Sequence, residues 1–300
     1  MKLSMALSLS SPTPSITRRR FLATGLASLA GLLVYSGEIE RHWIEVTEHE
    51  VFLRGLPQAF AGMRVVQLSD IHLDNFTEPS FLRRAVERIN ELKPDAVFLT
   101  GDYVTAGHWS KMFHNFPVHH CAVMLNNLEC TERYAILGNH DVGVGTKLVT
   151  DALTEFGTIV LRNQCVPIER SGSTLWLAGV DDPLVGHPDL DLAIPPSIRN
   201  LPSQPVVLLS HAPDYADRVL AHPAGQSVAL MLSGHSHGGQ VRLPFIGPLV
   251  LPTMARKYSK GWYRLDAMQL YVNRGLGTIG IPFRLDCPPE ISVFTLRQQA

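Results

Sequence analysis

Metal–thiolate chemistry has little to work with in this chain. Its four cysteines, Cys121, Cys130, Cys165 and Cys287, include no Cys-x-x-Cys pair, which excludes a zinc ribbon. An excess of one charge is also missing: 26 basic residues stand against 27 acidic ones. A general nucleic-acid binder carries a basic face, so no nucleic-acid partner is expected. There is no internal repeat and no linker that would split the chain. No uncharged apolar run reaches the roughly 20 residues of a comfortable membrane span. What is present is ordinary globular material, 45% hydrophobic over 300 residues, enough for one large core. Histidine is the exception. There are 13, several of them clustered, and such clusters point to metal chemistry.

The start of the chain has a different character. Thr17-Arg18-Arg19-Arg20-Phe21-Leu22 leads into an apolar run over 21–35. A basic start before a short apolar region is the pattern of a secretory signal. The Ser/Thr-Arg-Arg-x-Phe-Leu order resembles the twin-arginine export signal, which carries folded proteins. Ser28-Leu29-Ala30 and Val34-Tyr35-Ser36 are fair cleavage sites; an uncleaved membrane anchor is the alternative. Residues 1–36 are read as this signal or anchor and 37–300 as one domain. In an exported protein Cys121 and Cys130 are the nearest couple to pair; otherwise the cysteines are free, buried thiols.

Strands and helices alternate along the domain. An entry strand is expected within 40–53. Residues 65–69 read as a buried strand followed by Asp70-Ile71-His72; in extended backbone, residues two apart face one way, so both side chains reach one ion. Apolar residues at helical spacing over 79–92, with Thr77 as cap, predict a helix that Pro94 ends. A second buried strand, 97–100, ends in Gly101-Asp102. Residues 108–120, with four histidines, read as loop, and 121–128 as helix. A third strand, 134–137, ends in Gly138-Asn139-His140-Asp141, and a helix is expected over 146–156. Strands over 159–161, 166–168 and 174–178 have a more antiparallel character, and 183–205 is mostly loop around a short helix. Two further buried strands, 206–210 and 228–232, end in His211 and in Gly234-His235-Ser236-His237-Gly238-Gly239-Gln240. Two strands flank Asp266-Ala267, and the last strand lies over 291–296. Strand–helix–strand order with buried runs gives an α/β class.

Five buried strands thus end in oxygen or imidazole donors. In α/β sheets, sites form beyond the carboxyl ends of strands. Donors without thiolate suit Mn²⁺, Fe²⁺, Zn²⁺ or Co²⁺. Two ions lying roughly 3.5–4 Å apart call for a bridging carboxylate, and Asp102 is the choice here.

The five motifs, in this order over about 63–240, resemble the calcineurin-like metallophosphoesterases. The resemblance implies a four-layer α/β/β/α sandwich of two mixed sheets flanked by helices, and two divalent ions with manganese favoured. It implies that Asp70, His72, His237 and Asp102 hold the first ion, that Asn139, His211 and His235 hold the second, and that Asp102 bridges. A metal-bridging hydroxide then attacks phosphorus in line, His140 acts as general acid, and Asp141 orients it. Two ions less Asp70, Asp102 and a hydroxide leave about +1, which attracts a phosphoryl anion without trapping it. Purple acid phosphatases are similar but carry a tyrosine three positions after the bridging aspartate; here Thr105 stands there and Tyr103 follows Asp102 directly, which disfavours an iron–tyrosinate site. Gln240 and Arg242 are candidate substrate contacts. Arg256, Lys257, Lys260 and Arg264 form either a headgroup contact or a solvated face.

The implied function is hydrolysis of phosphate monoesters or diesters on a phosphorylated small-molecule, lipid or cell-envelope substrate, at or beyond the membrane. Two alternatives stay open: a UDP-2,3-diacylglucosamine pyrophosphatase of lipid A synthesis, and a non-catalytic metal-binding scaffold.

Overall fold

The computed structural model describes residues 17–73, 76–107, 115–199, 201 and 204–299. Two six-stranded sheets lie face to face. The first is ordered β1 (Glu45–Leu53), β14 (Glu290–Gln298), β2 (Arg64–Leu68), β3 (Ala96–Leu99), β4 (Arg133–Ala135), β5 (Ile159–Val160). The second is ordered β12 (Gly261–Leu265), β13 (Met268–Val272), β9 (Val228–Ser233), β8 (Val206–Leu209), β7 (Ser173–Gly179), β6 (Gln164–Arg170). Both are mixed. In the first, β2 to β5 run parallel and β14 enters antiparallel to β2. In the second, β13, β9, β8 and β7 run parallel between two antiparallel edge strands.

The continuous apolar runs are explained by burial on both faces. Val66, Leu68, Val97 and Leu99 enter an outer core with Phe81, Leu82, Ala85 and Ile89 of α2 (Pro79–Leu92). Their neighbours Val65, Ala96 and Phe98 point the other way, into the middle core, and meet Leu177, Val207, Leu209 and Leu230 of the second sheet. On the far side Ala178, Val206, Leu208 and Met231 pack against the short helices α5 (Leu190–Ala193), α6 (Pro196–Arg199) and α7 (Ala216–Ala221). Helices α3 (Asn115–Leu125) and α4 (Asn139–Glu155) complete the outer layer of the first sheet. The result is the expected four-layer α/β/β/α sandwich. Each fully buried Leu, Val or Phe contributes roughly 1.5–3 kcal/mol, so the three cores fix where the strand ends lie.

Several local expectations need correction. Thr77 does not cap α2: Glu78 holds the cap position without a side-chain bond, and Thr77 bridges to Leu73 in an isolated β pairing. Pro79 opens the helix instead, needing no amide partner there. Helix α3 starts at Asn115 rather than within 121–128. Helix α4 starts at Asn139, runs through Gly143 and kinks at Gly145 (φ 147°) before the span expected to be helical; the glycines disguised its first turns. Strand β5 is parallel to β4, not antiparallel. Of the histidine-rich stretch, residues 108–114 lie outside the described residues. All four cysteines are free.

The N-terminal segment is α1 (Arg18–Val34), none of it buried. It continues through a π turn and a 3₁₀ turn, and the whole body Arg18–His42 is long and apolar enough to cross a membrane. The part free of the domain, Arg18 to Tyr35, includes the apolar run and the three arginines before it. Residue 36 marks no break. Ser36, Gly37, Glu40 and Arg41 are buried against the domain. Arg284 N donates to Ser36 O (3.0 Å), Cys287 N to Glu40 Oε1 (2.7 Å), and Arg41 reaches Phe76 O (2.7 Å) and Glu78 (3.1 Å).

Candidate metal centre

Parallel strands β2, β3 and β4 end side by side, and β8 and β9 end opposite them in the second sheet. The turns after these strands carry the candidate ligands to one place. Asp70, His72 and His237 bring one donor atom each to within 4.8 Å of one another, and Asp102, His211 and His235 do the same. All six are buried. His72 Nε2 lies 3.1 Å from His237 Nε2 and 3.6 Å from Asp102 Oδ2; His237 Nε2 lies 3.4 Å from Asp70 Oδ1; His211 Nε2 lies 3.1 Å from Asp102 Oδ2. Asn139 joins through its neighbour, since His140 N donates to Asp102 Oδ1 (2.9 Å).

The backbone reason differs from the alternation read in the sequence. Asp70, His72, Asp102, His235 and His237 all have left-handed φ, between 47° and 65°. The segments are tight turns, not extended chain. Main-chain bonds hold them there: Asp70 N to Gly101 O, His72 N to Asp102 O, Gly277 N to Asp70 O. Such close packing leaves no room for side chains between the turns. A Cβ on Gly138 would stand 2.2 Å from Asp102 Oδ1, and one on Gly234 2.3 Å from Asp70 Oδ2.

Outer partners set which ring nitrogen is free. His211 Nδ1 lies 2.7 Å from Thr100 O, so it carries a proton and Nε2 is the nitrogen turned inward. His235 is reversed: Nε2 donates to Thr253 O (2.8 Å), leaving Nδ1. Thr105 Oγ1 sits 3.0 Å from His72 Nδ1. Burial drives His72 down to about 3 and lowers His235 and His237, so these rings are neutral, the form that binds cations. Burial would lower His211 too, but the Asp102 carboxylate beside it raises it. Burial opposes ionisation of Asp102, yet His211 holds it well below the usual carboxylate range. The donors fit a cation on their own chemistry. Asn139 Oδ1 is buried without a hydrogen-bond partner, and His211 Nε2 faces the Asp102 carboxylate at 3.1 Å, a pair that calls for positive charge between them, from a proton or a metal ion.

His140 edges the same site, its ring 4.9 Å from that of His72. Ala106 N donates to its Nδ1 (2.9 Å), which leaves the proton on Nε2. Asp141 has a different job from the expected one. Its carboxylate accepts from the amides of Asp102 (2.7 Å), Tyr103 (2.9 Å) and Gly138 (2.9 Å), and no described bond joins it to the His140 ring. It clamps the Asp102 turn to the start of α4. Burial and the Asp102 charge push its pKa up, against the pull of those amides. Gln240 is likewise committed: its amide bonds Ile279 and Ile281 backbone on both sides. Arg242 donates to Gly238 O (2.7 Å). Tyr103 points into the core, its hydroxyl 2.8 Å from Ile136 O. Lys257 pairs with Asp217 (2.7 Å), so the basic stretch is partly neutralised.

Some contributors carried no sequence signal. Arg284, fully buried, gathers the carbonyls of Arg274, Gly275, Gly277 and Cys287 and so ties the loop that packs on Asp70. Asp182 is buried and raised by that burial; its Oδ1 accepts from Leu184 and Val185. Gln67 joins the two sheets beneath the site, donating to Thr100 Oγ1 and Ser233 O (3.0 Å each). Asp141 stands at the third position of α4 and takes the amide of Gly138 at the cap, half of a capping box.

Paired, buried Asp/His triads that share one region beyond parallel strand ends are the makings of a two-metal phosphoester hydrolase. The chain belongs to the calcineurin-like phosphoesterases, whose family model matches residues 63–239. It is therefore a hydrolase of phosphoester bonds. It is 36% identical over 294 residues to the metallophosphoesterase YkuE of Bacillus subtilis, covering 94% of this chain and 98% of that one. It is 32% identical to the phosphodiesterase YaeI of Escherichia coli (94% and 99% covered). It is 28% identical to the UDP-2,3-diacylglucosamine pyrophosphatase LpxG of Chlamydia trachomatis (90% and 94% covered).

Proposed function

We propose that Asp70, His72 and His237 hold one divalent ion, that Asn139, His211 and His235 hold the other, and that Asp102 bridges them in a phosphodiesterase or phosphomonoesterase. The observation that carries this is the burial of both triads together, Asp102 belonging to one and lying 3.6 Å from His72 of the other. When bound, the two ions supply a water of lowered pKa and positive charge for the phosphoryl oxygens. His140 keeps its proton on Nε2 because Ala106 N–H occupies Nδ1, and it gives that proton to the leaving oxygen. Asp141 steadies Asp102 rather than His140. All-oxygen and imidazole donors suit manganese among the candidate ions. The apolar helix and the Arg-Arg-x-Phe-Leu pattern favour a protein exported through a twin-arginine route or held at the inner membrane.

A second reading, cleavage of the pyrophosphate of UDP-2,3-diacylglucosamine, is favoured by the apolar residues that share the cleft's lining with the triads and by the likeness to LpxG. The test loads purified protein with Mn²⁺, counts ions per chain, and measures hydrolysis of p-nitrophenyl phosphate, bis(p-nitrophenyl) phosphate and UDP-2,3-diacylglucosamine. Two ions and turnover of the diester are expected. Preference for the nucleotide lipid selects the second reading, and two ions without any turnover leave only the binding scaffold.

A further inference from the structure

The cleft of about 550 Å³ over the triads has an apolar mouth that phosphate chemistry does not require. Leu249, Val250 and Ile281 line it and are 53%, 76% and 49% exposed. Beside them stands the hairpin of β10 (Arg242–Leu243) and β11 (Gly247–Pro248). Its root is the bond from Leu249 N to Val241 O (3.0 Å). Its tip is Phe245 and Ile246, the first wholly in solvent and the second 72% exposed. Phe245 also holds a left-handed φ of 67°, a conformation bulky side chains avoid. Single exposed apolar residues are ordinary; a cluster of them around one opening marks an interaction surface.

The N-terminal helix is rooted on the same strap of chain. Gln240 bonds Ile279 and Ile281, Val241 bridges to Leu285, and Arg242 N donates to Leu285 O. That strap continues to Phe283, packed on Gly37, and Arg284, bonded to Ser36. From Ile281 to Arg284 the chain can span at most about 10 Å. No linker intervenes: α1 passes by a π turn directly into the segment that buries Ser36, Gly37, Glu40 and Arg41. The free length from Arg18 to Tyr35 rises about 27 Å, close to the roughly 30 Å of a hydrocarbon core. Arginines at one end and the exposed Tyr35 and Trp43 at the other are the flanks of a membrane span. A helix rooted without slack restricts which face of the domain can meet the bilayer, and the strap that roots it also lines the mouth through Ile281.

We propose that the apolar rim seats in the surface of the phospholipid bilayer that α1 crosses, so that the cleft opens at headgroup level and takes phosphoesters carrying an acyl chain. The acyl-chain clause rests on the hydrolase reading above; the seating does not. Phe245 and Ile246 withdraw their side chains from water into the boundary between headgroups and acyl chains.

The test uses the full chain in vesicles of phosphatidylethanolamine and phosphatidylglycerol. Phe245→Trp adds emission to that of the native tryptophans. In vesicles brominated near the top of the acyl chains, at least half of the added emission should be quenched. Quenching no greater than for the native tryptophans, with full access to iodide from water, overturns the seating. The Phe245→Ser/Ile246→Ser chain should hydrolyse bis(p-nitrophenyl) phosphate within twofold of the parent. On a diacylglycerol p-nitrophenyl phosphodiester in the vesicles it should be at least tenfold slower. Equal rates on both substrates, or equal losses, overturn the acyl-chain clause. A parent chain inactive on both esters sinks the hydrolase reading and that clause together, while the quenching result stands by itself.

Discussion

Replacing Asp141 by asparagine separates two roles for its carboxylate, clamp or orienter. Oδ2 accepts from Asp102 N and Gly138 N, and Oδ1 from Tyr103 N. An asparagine side chain keeps one acceptor oxygen. If that oxygen takes the place of Oδ2, the Tyr103 amide faces an NH₂ group; if it takes the place of Oδ1, two amides do. The site is fully buried, and each orphaned buried donor costs about 1–3 kcal/mol, so the orientation that orphans one amide should cost about 1–3 kcal/mol. The strain falls on the turn that carries Asp102 and on the start of α4, which carries Asn139. Spent on metal affinity, it amounts to roughly 5- to 150-fold weaker binding. Manganese titration by calorimetry and ion counts after dialysis should show this, and hydrolysis at saturating Mn²⁺ should largely recover. His140→Ala should keep its ions and lose rate that no Mn²⁺ restores. The double variant should be additive in free energy, since the two act separately. An Asp141→Asn chain with full metal affinity, and no further loss in the His140→Ala background, would refute the clamp and return Asp141 to orienting the imidazole.

Three further outcomes follow from the same geometry. His140→Ala by itself should slow diester turnover by roughly 10²–10⁴, the range for a lost general acid, with stopped assays reading the rate and elemental analysis the ions; loss of metal instead sinks the role given to His140. Gly138→Ala places a methyl 2.2 Å from Asp102 Oδ1 and 2.7 Å from His211 Cε1; ångström-scale displacement there should cost about 100-fold or more in activity with an unchanged far-ultraviolet spectrum. Glu290 is buried, which opposes its charge, but Arg274 at 2.9 Å holds its pKa below the usual value. A depressed carboxyl contributes stability that is full above its unfolded pKa of about 4.3 and is lost as pH falls through the folded value. Glu290→Gln should therefore lower the melting temperature at pH 7 by about 6–12 °C, from a loss of about 3 kcal/mol, and flatten its fall below pH 4.3. Parallel melting curves for parent and variant refute the coupling.

The candidate ligands were legible because each follows a buried apolar run, and such runs in an α/β chain deliver their ends to one edge. Burial of Val66 and Leu68 on one face and Val65 on the other leaves β2 no freedom of register, so Asp70 had to emerge where Asp102 and Asn139 do. The details were not legible because they depend on contacts between distant segments. No local pattern announces that Thr253 O, from a loop after β11, will fix the tautomer of His235, or that Arg284 will gather four carbonyls behind Asp70. Alternation placed Asp70 beside His72, as the structure does, but by another route. Both residues, with Asp102, His235 and His237, sit in left-handed backbone, where a non-glycine residue costs roughly 1–2 kcal/mol. Asp and His tolerate that backbone better than most side chains, but no local pattern predicts it at all five positions. It persists because the turns bond one another, Asp70 N to Gly101 O and His72 N to Asp102 O, and because Gly101, Gly138 and Gly234 let the turns close up. Local preference yields where the donors must converge, so the strained turns are themselves a mark of the site.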